Sequence, residues 1–207
     1  MVTYPSTLPT TPGIRNFNMK PLTAVGMNVS PFTYSQEVQV SQGQQWSAEF
    51  DLPPMLRSHA ADWQGFMLGL NGSEGTFLMG DPDATEPLGT PTGTPVLDGN
   101  HDIGAREISI KGFTPNSTGN LLRGDVFQIG SGLSARLHRV VEGVDADGDG
   151  KATVGIWPLI RTGRADNDPI ITSGAIGLWR LAPNTMAWQS NQIGHHEISV
   201  KCLEVVP

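Results

Sequence analysis

Apolar and polar residues alternate with a period of two along much of the first fifty positions. Phe17 and Met19 lie two apart, Val38 and Val40 alternate with Glu37, Gln39 and Ser41, and Trp46, Ala48 and Phe50 alternate with Ser47, Glu49 and Asp51. Successive residues of an extended chain point to opposite sides, so each set lines one face of a strand. The last two sets read as an antiparallel hairpin joined by Ser41 to Gln44, with Gly43 in the turn. The period then changes. Leu56, Ala60, Trp63, Phe66, Met67 and Leu70 recur at spacings of three and four, which predicts one helix over about 54–70, opened by Pro53-Pro54 and closed by Asn71-Gly72. Gly75-Thr76-Phe77-Leu78-Met79-Gly80-Asp81-Pro82 follows as a short apolar strand ended by a turn dipeptide.

Beyond a Thr/Pro/Gly-rich connection from Asp83 to Gly104 the texture changes to short strands at Arg106–Lys111, Val126–Ile129, Ala135–Val141 and Ala152–Trp157, separated by Gly and Asp clusters. That spacing is the signature of a small barrel or sandwich, so residues 98–161 read as an inserted small β domain. A second connection, Thr162 to Gly174, leads back to strands at Ala175–Leu181, Met186–Gln189 and His195–Leu203. These are placed to complete the sheet begun before the insertion, which gives a discontinuous β domain of 13–97 and 162–207. Residues 1–12 are Thr, Ser and Pro with isolated Leu and Tyr, an extended N-terminal arm expected to be held by a neighbouring subunit. The fold class is therefore mainly β.

Composition narrows the function classes. Acidic residues number 20 against 13 basic, a formal charge of −7, which is the wrong sign for a protein whose main partner is a phosphate backbone. Charged residues at 16% and hydrophobic ones at 38% place the chain with folded rather than disordered proteins. Cys202 is the lone cysteine, so neither an internal disulfide framework nor a zinc site of several thiolates is available. Met1 to Leu22 lacks the basic start and apolar run of a secretory signal, and no apolar stretch is long enough to span a membrane. A soluble protein made in a cytoplasm is expected, and the sequons at Asn28, Asn71 and Asn116 then carry no glycan.

Candidate chemistry is sparse. Asp145-Ala146-Asp147-Gly148-Asp149-Gly150 matches the start of an EF-hand loop, but position twelve is Ile156, not Glu, and no helical pattern flanks it. A polar hairpin turn rich in Asp-Gly is the better reading. His59, His101, His138, His195 and His196 lack metal-ligand spacing, and the adjacent pair would point to opposite faces of a strand. Gly130-Ser131-Gly132 is a turn without a base placed beside it, and no phosphate-binding loop opens a helix. Trp46, Trp63, Trp157, Trp179 and Trp188 sit in apolar segments, where core packing is the expected role for most of them. Arg57 and His59 read as solvated or interface side chains. No catalytic, cofactor-binding or metal residue is assigned, and an enzyme is not expected.

Three phrases, read in order, resemble tail proteins of long-tailed bacteriophages: the run from Phe50-Asp51-Leu52-Pro53-Pro54-Met55 to Trp63; then Gly75 to Pro82; then Leu122-Arg123-Gly124-Asp125-Val126-Phe127-Gln128-Ile129 followed by Ile156-Trp157-Pro158-Leu159-Ile160-Arg161. From about Val38 to Val205 the chain resembles the distal tail protein, the tail-tip or baseplate ring at the lower end of the tail tube. The resemblance implies a β-sandwich tube domain with one packed α-helix, a homohexameric ring, and an outward-facing extra β domain like an oligonucleotide-binding-type barrel or a lectin-like sandwich. Residues 98–161 fit that position. It further implies a structural role in the virion tail after assembly in the host cytoplasm, connecting the tail tube protein to the hub or tip protein and forming part of the conduit for genome ejection. Tape measure protein or tail fibres are further contacts it suggests. No cofactor, specific nucleic-acid binding or membrane insertion follows from it, and a negative lumen would avoid adhering to DNA. The chain's size leaves no room for a large carbohydrate-binding C-terminal domain. The alternative from another class is a carbohydrate-binding module or adhesin that uses the middle β domain and an exposed Trp157 or Trp179; a third is a calcium-dependent protein centred on Asp145, Asp147 and Asp149.

Overall fold

Two sheets account for most of the alternation. The structure, a computed structural model, describes residues 3–206. Its first half holds β1 (Ser6–Thr7), β2 (Asn16–Val29), β3 (Gln36–Asp51), β4 (Met55–Leu56), helix α1 (Arg57–Gly69) and β5 (Phe77–Met79). Then come β6 (Val96–Leu97), β7 (Glu107–Lys111), β8 (Val126–Ile129), β9 (Arg136–Val140), β10 (Lys151–Trp157) and β11 (Ile170–Ile171), followed by β12 (Gly177–Leu181), β13 (Ala187–Ser190) and β14 (His195–Glu204). The larger sheet runs β1-β5-β12-β14-β3-β2, with β13 and β4 also paired to β14. The smaller runs β11-β8-β9-β10-β7-β6.

The larger sheet buries one face against α1. Trp46, Ala48 and Phe50 of β3 face Ile198, Val200 and Cys202 of β14, and Ala60, Trp63 and Met67 of the helix cover them. Val126 and Leu137 of the smaller sheet join the same cluster, so the two sheets share part of one apolar core. The helix starts at Arg57, later than its periodicity predicts, because Met55 and Leu56 pair with His196 and His195 of β14. Pro53-Pro54 therefore leads into an extended dipeptide and not directly into the helix.

The smaller sheet is a nearly closed barrel around Ile108, Ile110, Phe127, Ile129, Val154 and Ile156. Its ends meet: Leu97 N–H donates to Asp168 O at 3.0 Å, and Ile170 N–H to Pro95 O at 3.2 Å. Closure removes the unpaired edges an open sheet would expose. The closing strands β6 and β11 lie outside 98–161, so the barrel spans a wider stretch than its strand pattern predicts. The Asp83–Gly104 connection is not a free loop either. The buried Asp125 carboxylate accepts from the backbone N–H of Leu88, Gly89 and Leu122, and Thr94 N–H donates to Gly112 O, which fastens the segment along the barrel wall.

The hairpin expectation is corrected. Residues 36–51 form one strand, not a hairpin turning at Ser41–Gln44; the partner of β3 is β2, and the turn lies at Ser30–Ser35. The N-terminal arm, described from Thr3 onward, also makes contacts within its own chain. Ser6 and Thr7 pair in parallel with Phe77 and Leu78, Tyr4 Oη donates to Gly69 O, and Trp63 Nε1 donates to Thr11 O.

Candidate assembly surface: a projecting hairpin and the cleft at its root

Beyond Lys20 on β2 and Gln44 on β3 the two strands leave the sheet as a ribbon with every residue exposed out to its turn, apart from half-buried Ser30. From Thr23 to Phe32 it reaches about 30 Å at the usual rise per residue of an antiparallel strand. Ser30 N–H donates to Ser35 O, Tyr34 N–H donates to Ser30 O, and Tyr34 takes φ 54° to close the turn. Val25 opposes Val40 and Met27 opposes Val38, so these four share one face. That face continues the one carrying Phe17 and Met19, which lie over the core. The core-facing stripe thus runs out past the end of the core, and among the described residues none covers it. Met27 is 62% exposed, and Phe32 and Tyr34 at the tip are 93% and 79% exposed.

Ser41 to Gly43, where the sequence predicts a turn, is a bulge. Thr23 pairs with Gln44 and Val25 with Val40, so three residues of β3 stand against Ala24 alone. Gly43 is required by closeness: a Cβ there would lie 2.8 Å from that of Ala24. The local turn chemistry was legible, but the length of β2 turned it into a strand irregularity.

At the root of the ribbon an open cleft of about 490 Å³ separates the two sheets. Met19, Pro21, Thr23 and Trp46 form one side, and Arg123, Arg139, Val141 and Trp157 the other. Trp46 and Trp157 meet edge to face with centroids 4.2 Å apart, and the Arg139 guanidinium sits 5.9 Å from the Trp46 ring centroid while pairing with Asp81 at 2.8 Å. Arg123 is exposed.

A buried ion pair fixes the opposite side of the root. Arg161, just past the barrel's β10, donates from both terminal nitrogens to the two carboxylate oxygens of Glu204 on β14, and from Nη1 to Gln44 O at 3.0 Å. Glu204 also accepts from Trp46 N–H at 3.2 Å, and Gln44 Oε1 accepts from Leu159 N–H at 2.8 Å. Fork-to-fork pairing of this kind fixes geometry as well as charge. Nearby, His138 lies wholly buried, stacked on Phe127 and bonded through Nδ1 to Pro158 O at 2.8 Å. Burial pushes its imidazole down to about 3, so it is neutral and structural at ordinary pH. Burial also lowers the guanidinium pKa values of Arg136 and Arg164, which cap carbonyls of the Leu133–Ala135 turn.

The residues singled out in the sequence for chemistry are dispersed. Asp145 accepts from Gly119 N–H, and Asp147 accepts from the N–H groups of Asp149 and Lys151, so both carboxylates serve the turn. Among the described residues no group of three His, Cys, Asp or Glu side chains converges on a point where a metal could sit. His195 and His196 are half-buried on β14, and Arg57 and His59 are exposed on α1. Gly130-Ser131-Gly132 leads into a short 3₁₀ turn that Ser134 caps. Trp179 is fully buried with its indole N–H bonded to Met79 O, which removes it as a stacking platform for a sugar; Trp157 faces guanidinium groups, not Asp or Asn. No helix among the described residues is long and apolar enough to cross a membrane. The residues missed from sequence are those of the ribbon: Val25, Met27, Val29, Phe32 and Tyr34. Two signals pointed to them, the continued period of two after Met19 and the presence of only one charge, Glu37, from Pro21 to Gln45. No family model matches the chain, and no curated protein matches it either.

Proposed function

We propose that this chain is a structural subunit of a long-tailed phage virion, a homohexameric ring at the distal end of the tail that joins the tail tube to the hub or tip complex and forms part of the DNA conduit. The observation that supports this reading best is the ribbon: a two-stranded arm with a single charged residue, Glu37, and apolar side chains on the core-facing side, longer than the chain itself can cover. A long apolar edge of this kind is an aggregation hazard on a free monomer and an interface in an assembly. The barrel, carried as an insertion between β5 and β12, suits an outward-facing domain. The phage-tail resemblance supplies the identity and the sixfold number. No catalytic role is assigned to any residue in this reading.

Light scattering on the full-length protein across a concentration series, with negative-stain images, tests it. Hexameric rings with a central hole wide enough for duplex DNA are expected, alone or on addition of tail tube and hub proteins. A protein that stays monomeric under both conditions overturns the reading.

A further inference from the structure

The arm has an occupant's chemistry and the cleft has a receptor's, on opposite ends of one ribbon. From the geometry we infer that the tip of one copy, Phe32 and Tyr34, seats in the Trp46–Trp157 cleft of the next copy around the ring. This inference rests on the ring reading and names the contact that builds it. A knob and a pocket at different places on the same chain make a heterologous contact, which propagates around a closed rotation and cannot pair two copies face to face.

Five observations choose a second copy as the occupant. The tip rings are the most exposed aromatic side chains among the described residues and are anchored only by their own turn. The cleft offers two indole rings, Met19, Pro21 and Val141, a lining that takes an aromatic ring edge to face. Charge agrees: the arm's single charged residue, Glu37, is acidic, and the cleft's rim carries the exposed Arg123, beside Arg139, which is paired with Asp81. The cleft also opens on the uncovered stripe, so an arm entering it would lay its own apolar face along Val25 and Met27 of its host. The arm's reach of about 30 Å is the scale of a small domain, enough to cross from one copy's root to its neighbour's.

Mixed single-cysteine variants of the full-length chain test the seat. Phe32→Cys and Val141→Cys are made separately, both at exposed positions, and Cys202 is buried and stays out of the reaction. The two are mixed and treated with a short bis-maleimide, beside a control mixture of Phe32→Cys with Ile103→Cys, an exposed position outside the cleft. A crosslinked pair containing one copy of each variant, at least tenfold more abundant in the first mixture than in the control, is the expected result. Phe32→Asp should raise the concentration for half-assembly at least tenfold, with far-ultraviolet circular dichroism unchanged. If rings assemble but the first mixture crosslinks no better than the control, the seat is wrong and the ring reading stands. If neither assembly nor crosslinking occurs, both are wrong.

Discussion

Replacing Arg161 by Met should destabilise the chain by about 3–5 kcal/mol, the usual penalty for stranding one member of a buried ion pair. The structure places this case at the severe end. The Glu204 side chain has no exposed surface and Arg161 has 6%, so water cannot replace the guanidinium. After the change Glu204 keeps only the Trp46 N–H as a donor, and the Gln44 carbonyl loses its partner as well. For a chain of this size that loss corresponds to a fall in Tm of roughly 6–20 °C. Guanidinium chloride unfolding followed by tryptophan emission is the suitable assay, because Trp46 sits directly on the pair. It is run at a protein concentration where the mass does not change, so that assembly does not add to the apparent stability. A second variant separates charge stranding from lost packing. Arg161→Met with Glu204→Met removes both charges and should recover most of the loss, since apolar replacements of buried pairs are often neutral or stabilising. A single variant within about 1 kcal/mol of the parent, or a double variant as unstable as the single, would refute the reasoning.

Two other outcomes follow from buried groups. His138 is held far below its ordinary value by burial, so the unfolded chain binds a proton that the folded chain refuses; the stability it confers is complete above about pH 6.5 and is lost as pH falls toward 3, by about 1.4 kcal/mol per pH unit. Urea midpoints at pH 6.5 and 4.5 should therefore drop more steeply in the parent than in His138→Asn, which keeps a donor for Pro158 O without a titrating ring; equal slopes would contradict the assignment. Gly150 takes φ 72° and any Cβ there would collide with Phe113 O, so Gly150→Ala should cost at least about 1–2 kcal/mol by the same unfolding assay.

Where neighbours in sequence decide the structure, the elements were legible. The alternation of Trp46, Ala48 and Phe50, the helix stripe of Ala60, Trp63 and Met67, and the short barrel strands all lie close to where their periods put them. What failed depended on distant partners. Nothing local to Ser41-Gln42-Gly43-Gln44 distinguishes a turn from a bulge; the difference is the fourteen residues of β2 waiting to pair with it. The two-residue strands β6 and β11 carry no period at all and exist because each closes the barrel against the other. The candidate assembly surface was half-legible for a related reason. The stripe from Phe17 to Val29 is plain in the sequence, but whether such a stripe is core or interface depends on where the covering layer ends, and that is a property of the fold.

The covering layer ends at the barrel, which gives the insertion a part in the arm's geometry. A two-stranded ribbon is marginal in water by itself, so its direction has to be set at its root. There, Gln44 is clamped by Leu159 N–H through its side chain and by Arg161 through its carbonyl, both from the segment leaving β10. The same strand supplies Trp157 to the cleft, and β9 supplies Arg139. The barrel therefore aims the arm and also walls the cleft in which a neighbour's arm would end. Knob and pocket are held in a fixed relation by one set of contacts, and a fixed relation between them is what a ring needs if it is to close at a single size rather than grow as an open helix.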